Sequence, residues 1–151
     1  MQRGWAATVE MAKALVAAVV LLQRPASFTP TPTHLRKLGT FLEGAQKVPL
    51  RLAREPHGDW PEAVIRCICA RYRIVHVADP LTRAPVTGDV AYFRLHGRTG
   101  YTDADLGEIW ARCQGFREAF MFFNNVSMRE DAQRFREMIR RRPSSPDLAT
   151  I

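Results

Sequence analysis

Five short apolar runs alternate with helix-patterned segments, and this alternation constrains the fold more than anything else in the sequence. The runs span residues 17–23, 48–54, 74–78, 89–98 and 119–123. A helix over residues 5–14 precedes the first run. Later helices are marked by apolar spacing such as Leu35, Leu38, Phe41 and Leu42, and again by Leu106, Ile109, Trp110 and Cys113. The order reads as helix, then strand and helix five times over, which argues for an all-parallel sheet wrapped by helices. The run at 17–22 is continuous, as in a strand buried on both faces.

Helix starts are written into several junctions. Thr31 before Pro32 and Thr102 before Asp103 suit N-caps. Asp59 with Glu62, and Ser127 with Glu130, have capping-box spacing. Residues 24–32 carry three prolines and form a loop.

Each run closes on polar residues: Gln23; Glu55 with His57; Asp79; Arg94 with His96; and Asn124 with Asn125. In residues 89–98 a period of two sends Tyr92, Arg94 and His96 one way and Phe93 and Leu95 the other, with Gly97 at the turn. Ligands of parallel α/β folds bind at the C-terminal ends of strands. That is where these groups would stand.

The chain has 151 residues, enough for one domain with a proper core over residues 1–142 and a frayed tail over 143–151. A net charge of +7 and a pI near 10.0 favour an anionic partner, either a phosphorylated small molecule or a nucleic acid. The arginines are dispersed, and only Arg140, Arg141 and Arg142 form a run, at a helix end where cations suit the dipole. Three cysteines make neither a disulfide framework nor a zinc pattern, and a reducing cytoplasmic setting fits them. Cys67 and Cys69 point in different directions on their helix. The apolar run 14–22 is too short to span a bilayer, so no membrane association is expected.

The segments Leu22-Gln23-Arg24-Pro25, Glu55-Pro56-His57-Gly58-Asp59-Trp60, His76-Val77-Ala78-Asp79-Pro80, Tyr92-Phe93-Arg94-Leu95-His96-Gly97 and Phe122-Phe123-Asn124-Asn125 resemble, in that order, the YecE-like family, domain of unknown function 72. The likeness is greatest to its archaeal versions, and the Arg-Leu-His-Gly and Phe-Asn-Asn pieces are its most specific marks. The resemblance implies a TIM (β/α) barrel, of which this chain matches the later part, about five strands. A full barrel takes about 250 residues. Loss of the N-terminal three strands from the reading frame is expected, the alternative being a true half-barrel whose bare edges a second copy covers as a homodimer. Two departures from the family bear on the site. His57 stands where the family has an arginine, and the loop between His96 and Tyr101 is short.

On this reading Glu55, Asp79 and His96 are the candidate catalytic residues, as base, acid or metal ligand. Arg94 is a candidate anion clamp, and Gln23, His57, Asn124 and Asn125 are candidate ligand-binding residues. They suit a hydrolase or isomerase of a polar, phosphorylated or carbohydrate-like ligand, or the truncated remnant of one. No motif specifies a divalent metal, and the cofactor is open. The competing function is non-catalytic nucleic-acid binding, motivated by the pI.

Structural readings stand beside the chemical ones. Arg94 could fill the interior as an ion pair with Glu55 or Asp79. Asn124 and Asn125 could satisfy backbone groups. His76 reads as a packed strand histidine and His34 as an idle residue at an exposed helix start. Trp60, Trp110, Phe122 and Phe123 read as core.

Overall fold

The computed structural model describes residues 2–86, 88–97 and 99–141. Its elements are α1 (Gln2–Ala14), β1 (Val20–Gln23), α2 (Pro32–Ala45), β2 (Leu52–Glu55), α3 (Glu62–Tyr72), β3 (Val75–Ala78), β4 (Val90–Gly97), α4 (Asp103–Cys113), β5 (Glu118–Asn125) and α5 (Met128–Arg140). Arg98, Arg142 and the tail 143–151 lie outside the described residues. No helix among the described residues is long and apolar enough to cross a membrane. The chain divides into two compact units, Met1–Val75 and His76–Ile151.

In each unit every strand runs parallel to the strand beside it, and that neighbour is the next strand in the chain. β1 pairs with β2 from Val20 opposite Leu52 to Gln23 opposite Glu55. β3 pairs with β4 through Val77 opposite Tyr92, and β4 pairs with β5 from Val90 opposite Glu118 to Gly97 opposite Asn125. Parallel strands that advance one position at a time follow the winding of a (β/α) barrel. The fold is therefore an α/β partial barrel of five parallel strands with surrounding helices, as the alternation predicts.

The alternation lapses once. Between β3 and β4 the described residues of 79–89 hold turns and no helix, so one crossover is made by loop alone. A parallel crossover must still cover the sheet, and here Val86, 5% exposed, does so. Its backbone N–H donates to Nδ1 of the buried His76 at 3.2 Å, so His76 anchors this crossover as a packed strand histidine.

The second unit's core is the odd face of β4 (Ala91, Phe93 and Leu95) packed with Leu106, Ile109, Trp110 and Cys113 of α4, Ala119 of β5 and Phe135 of α5. Phe93 and Leu95 are wholly buried, each worth about 1.5–3 kcal/mol by area. The first unit buries Leu38, Leu42, Leu52, Trp60, Ile65 and Ile68. Trp60 is held inside by its Nε1–H, which donates to the Phe28 carbonyl at 3.1 Å.

Several local expectations are corrected. The first strand is shorter than its apolar run and is not buried on both faces. Only Val20 is fully buried, because Val16 turns into the left-handed region (φ 49°) after α1 and β1 begins beyond it. β2 likewise starts at Leu52 rather than 48.

Thr31 caps α2 by accepting from the His34 N–H at 3.2 Å, and Thr102 with Asp105 completes a capping box on α4. Asp59 does not cap α3. Pro61 occupies the cap position without a side-chain bond, and Glu62 pairs with Arg66 at 2.6 Å instead. Ser127 sits at the cap of α5, again without a side-chain bond. His34 is not idle: it is half-buried, stacks on Phe28 with centroids 4.5 Å apart, and bonds the Thr29 carbonyl at 2.8 Å.

Candidate active site at the strand ends

In the first unit the parallel register sets Gln23 beside Glu55. The Gln23 amide nitrogen donates to Glu55 Oε2 at 2.8 Å and lies 3.1 Å from His57 Nε2, which is itself 3.6 Å from the same carboxylate oxygen. An amide N–H₂ only donates, so the neutral ring accepts at Nε2 and carries its proton on Nδ1; this tautomer is inferred from the network. A protonated ring would turn Nε2–H toward Glu55. Either state is accommodated by small movements, which suits a proton-handling pair.

Gly58 places His57 there. Its φ of +79° is glycine territory, and a Cβ would meet the Ala26 carbonyl oxygen at 2.9 Å. The turn after β2 thus fits against the loop after β1.

In the second unit Asp79 uses both oxygens on backbone. Oδ1 accepts from the Leu81 N–H at 3.0 Å and Oδ2 from the His96 N–H at 3.1 Å, which ties the end of β4 to that of β3. His96 is exposed and stands opposite Asn124, whose Nδ2 lies 3.2 Å from His96 Nδ1. With Nδ1 accepting, the neutral ring carries its proton on Nε2.

The Tyr101 hydroxyl donates to the His96 carbonyl at 3.0 Å. Partial burial, then the charges of Asp79, Asp131 and Asp105, push that phenol up to about 12, so it stays a donor. Gly97 lies against this hydroxyl, where a Cβ would sit 3.4 Å from the Tyr101 oxygen, at ordinary contact distance. Arg94, half-buried, shares the alternate face of β4 with His96 and Tyr92, and the Tyr92 ring stacks on Phe122 at 4.8 Å.

The two asparagines part company. Asn124 is exposed beside His96, whereas Asn125 is 5% exposed and turns inward, donating to the Thr99 carbonyl at 3.2 Å and to Asp131 Oδ2 at 2.6 Å. Among the described residues no group of three or more His, Cys, Asp or Glu side chains could hold a metal ion.

The model of the family described as "Protein of unknown function DUF72" matches residues 2–149. The chain belongs to this family. All five segments that carry the expected resemblance lie within the matched span of this DUF72 chain. No curated protein and no solved structure matches it.

Two features of the DUF72 chain's strand ends escape the sequence. Asp131, 1% exposed, accepts from the Tyr101 N–H at 3.1 Å as well as from Asn125 and from Arg134 Nη1 at 3.0 Å, joining the loop before α4 to the end of β5. In sequence it is indistinguishable from a solvated acid that favours the start of a helix dipole. Phe122 is 42% exposed, contrary to its reading as core, because it sits on the even face of β5 with Tyr92 rather than under α5.

Proposed function

We propose that this DUF72 chain is an acid–base enzyme, a hydrolase or isomerase of a polar, phosphorylated or carbohydrate-like small molecule, working at the C-terminal ends of its strands. The observation that carries this reading is the compact Gln23–Glu55–His57 contact, where a nearly buried carboxylate and an imidazole share one amide donor. Glu55 is the proposed base and His57 its partner. In the second unit, taken by itself, His96 is the proton-handling group, with Asn124 fixing its tautomer and Arg94 supplying a planar fork of donors for an anion. Asp79, both oxygens engaged by backbone, acts by positioning His96. Asn125 is committed to Thr99 and Asp131, and holds the strand end rather than the ligand.

The nucleic-acid reading gains nothing from the arrangement of charge. Four of the surface arginines are neutralised locally, Arg66 by Glu62, Arg112 by Glu108, Arg117 by Asp89 and Arg134 by Asp103. The test is a proton-NMR screen of sugar phosphates and glycosides for conversion. Conversion should fall by about 10²–10⁴-fold in Glu55→Gln and in His96→Asn, the usual worth of a general acid or base. Conversion that survives both changes, or none at all alongside salt-dependent polyanion retention indifferent to both, would overturn the proposal.

A further inference from the structure

A second candidate site lies in a cleft of the first unit that runs along α1 and reaches Gln23 at the end of β1. Residues of α1, β1, α2 and β2 line a space of about 440 Å³, with Trp5, Leu22, Leu38 and Phe41 as apolar wall, Thr8 beside them, and Arg54 as the deepest charge. Arg54 is 3% exposed. One face of its guanidinium rests on the Trp60 indole, 4.0 Å from the ring centroid. No carboxylate reaches it within ion-pair distance among the described residues. Trp5 lines the same cleft, and its buried indole N–H has no hydrogen-bond partner among the described residues.

Buried cations and buried N–H groups are almost always partnered, since each left unpaired costs desolvation energy with no return. A buried guanidinium without a carboxylate and an unpartnered indole N–H, both on residues of one lining, therefore call for an acceptor that bears a negative charge. The apolar wall sets the rest of the ligand. We propose that this cleft binds a monocarboxylate with an apolar body, a medium-chain acyl or aryl acid, its carboxylate on Arg54 and the Trp5 N–H and its hydrocarbon against Leu22, Leu38 and Phe41. Arg24 also lines the cleft but is exposed and stacks on Phe28, so Arg54 is the one buried charge of the lining, which favours a carboxylate over a phosphate dianion. Burial pushes the Arg54 guanidinium down to about 10, and a bound anion relieves the same burial cost. Arg54 and Trp5, which carry this inference, take no part in the proposed reaction, and binding is read apart from conversion, so the two fail independently.

The experiment is calorimetric titration of the whole protein with octanoate, 1-octanol and inorganic phosphate. Octanoate should bind, with octanol at least about tenfold weaker, the worth of a charge-assisted hydrogen bond. Arg54→Met, which keeps the length of the side chain, should weaken octanoate by about tenfold or more. Trp5→Phe, which keeps the ring edge against Phe41 but removes the N–H, should weaken it by a few-fold. Because the octanol comparison uses unaltered protein, it holds even if a variant misfolds. Equal binding of octanoate and octanol, phosphate binding in place of octanoate, no octanoate binding, or unchanged affinity in a folded Arg54→Met protein would each overturn the assignment.

Discussion

Asn125 donates to the Asp131 carboxylate at 2.6 Å, and through that bond the end of β5 is fastened to the first turn of α5. The same carboxylate receives the Tyr101 N–H, and Tyr101 in turn reaches the His96 carbonyl. A fully buried acid that belongs to no proposed chemistry thus holds the backbone on which His96 is mounted. Exposed His96 owes its position to groups that water does not reach.

Replacing Asp131 with alanine should therefore be costly. It leaves the Tyr101 N–H and the Asn125 amide without their acceptor, and buried networks that lose one partner typically cost about 3 kcal/mol or more. Arg134→Ala removes a solvent-screened partner of the same carboxylate and should cost much less. Urea unfolding of both variants checks the ranking. Equal losses would show that Asp131 acts through its surface ion pair rather than through its buried bonds.

The elements were legible where one physical signal dominated. The period of two in β4 put Phe93 and Leu95 in the core, as their zero exposure shows, and left His96 outside, although Tyr92 on the same face as His96 is buried as well. Residues of the site were legible as strand-end positions because a parallel register brings Gln23 to Glu55 and His96 to Asn124. What failed were features decided by contacts distant in sequence. The buried role of Asp131 depends on a loop some thirty residues away. The missing helix between β3 and β4 depends on whether a loop can cover the sheet, which His76 and Val86 settle by a single bond. The Asp59 cap failed because spacing alone cannot tell which residue takes the cap position, and Ser127 took that position without making the side-chain bond.

The tautomer of His96 is expected to follow the Asn124 amide. With Nδ2 of Asn124 donating, the neutral ring should carry its proton on Nε2. Asn124→Asp replaces the donor with an acceptor and should move the proton to Nδ1. Long-range ¹⁵N–¹H spectra of the imidazoles distinguish the two forms directly. The same tautomer in both proteins would mean that Asn124 does not set it.

Cysteine reactivity should separate sharply. Cys67 is exposed, while Cys69 and Cys113 are buried. Burial pushes the Cys113 thiol up to about 12 from an ordinary 9.0, and its sulfur donates to the Ile109 carbonyl at 3.3 Å. A disulfide reagent at pH 8 should modify Cys67 alone until the protein unfolds. The raised thiol also carries a pH signature. The folded state keeps its proton while the unfolded chain ionises near 9, so this contribution is complete below about pH 9 and is lost as pH rises toward 12. Cys113→Ala should flatten that decline relative to the parent protein, and parallel slopes would refute the linkage.

Arg54 should behave as a residue kept at a cost in stability. In the unliganded protein its charge is buried against Trp60 without a carboxylate, and exchanging such a charge for an apolar side chain of similar length tends to stabilise. Arg54→Met is expected to raise stability by about 1 kcal/mol, after allowing for the lost contact with the indole face. A fall of that size in denaturant unfolding would mean that the guanidinium is a structural partner.

Gly58 offers the closest test of how the Glu55–His57 pair is built. Alanine there must either hold φ at +79° or move, and its Cβ would press on backbone, the Ala26 carbonyl, at 2.9 Å. A strained left-handed residue costs about 1–3 kcal/mol, and the carbonyl cannot swing aside as a side-chain tip would. The expected outcome of Gly58→Ala is a loss in that range with His57 displaced from Gln23, read from denaturant unfolding and from the His57 imidazole resonances. By contrast, alanine at Gly107, where a Cβ meets nothing within 4 Å on α4, should stabilise by up to about 1 kcal/mol. If the two substitutions proved equal in effect, the turn after β2 would be free to relax, and the glycine would not be what holds His57 at the strand end.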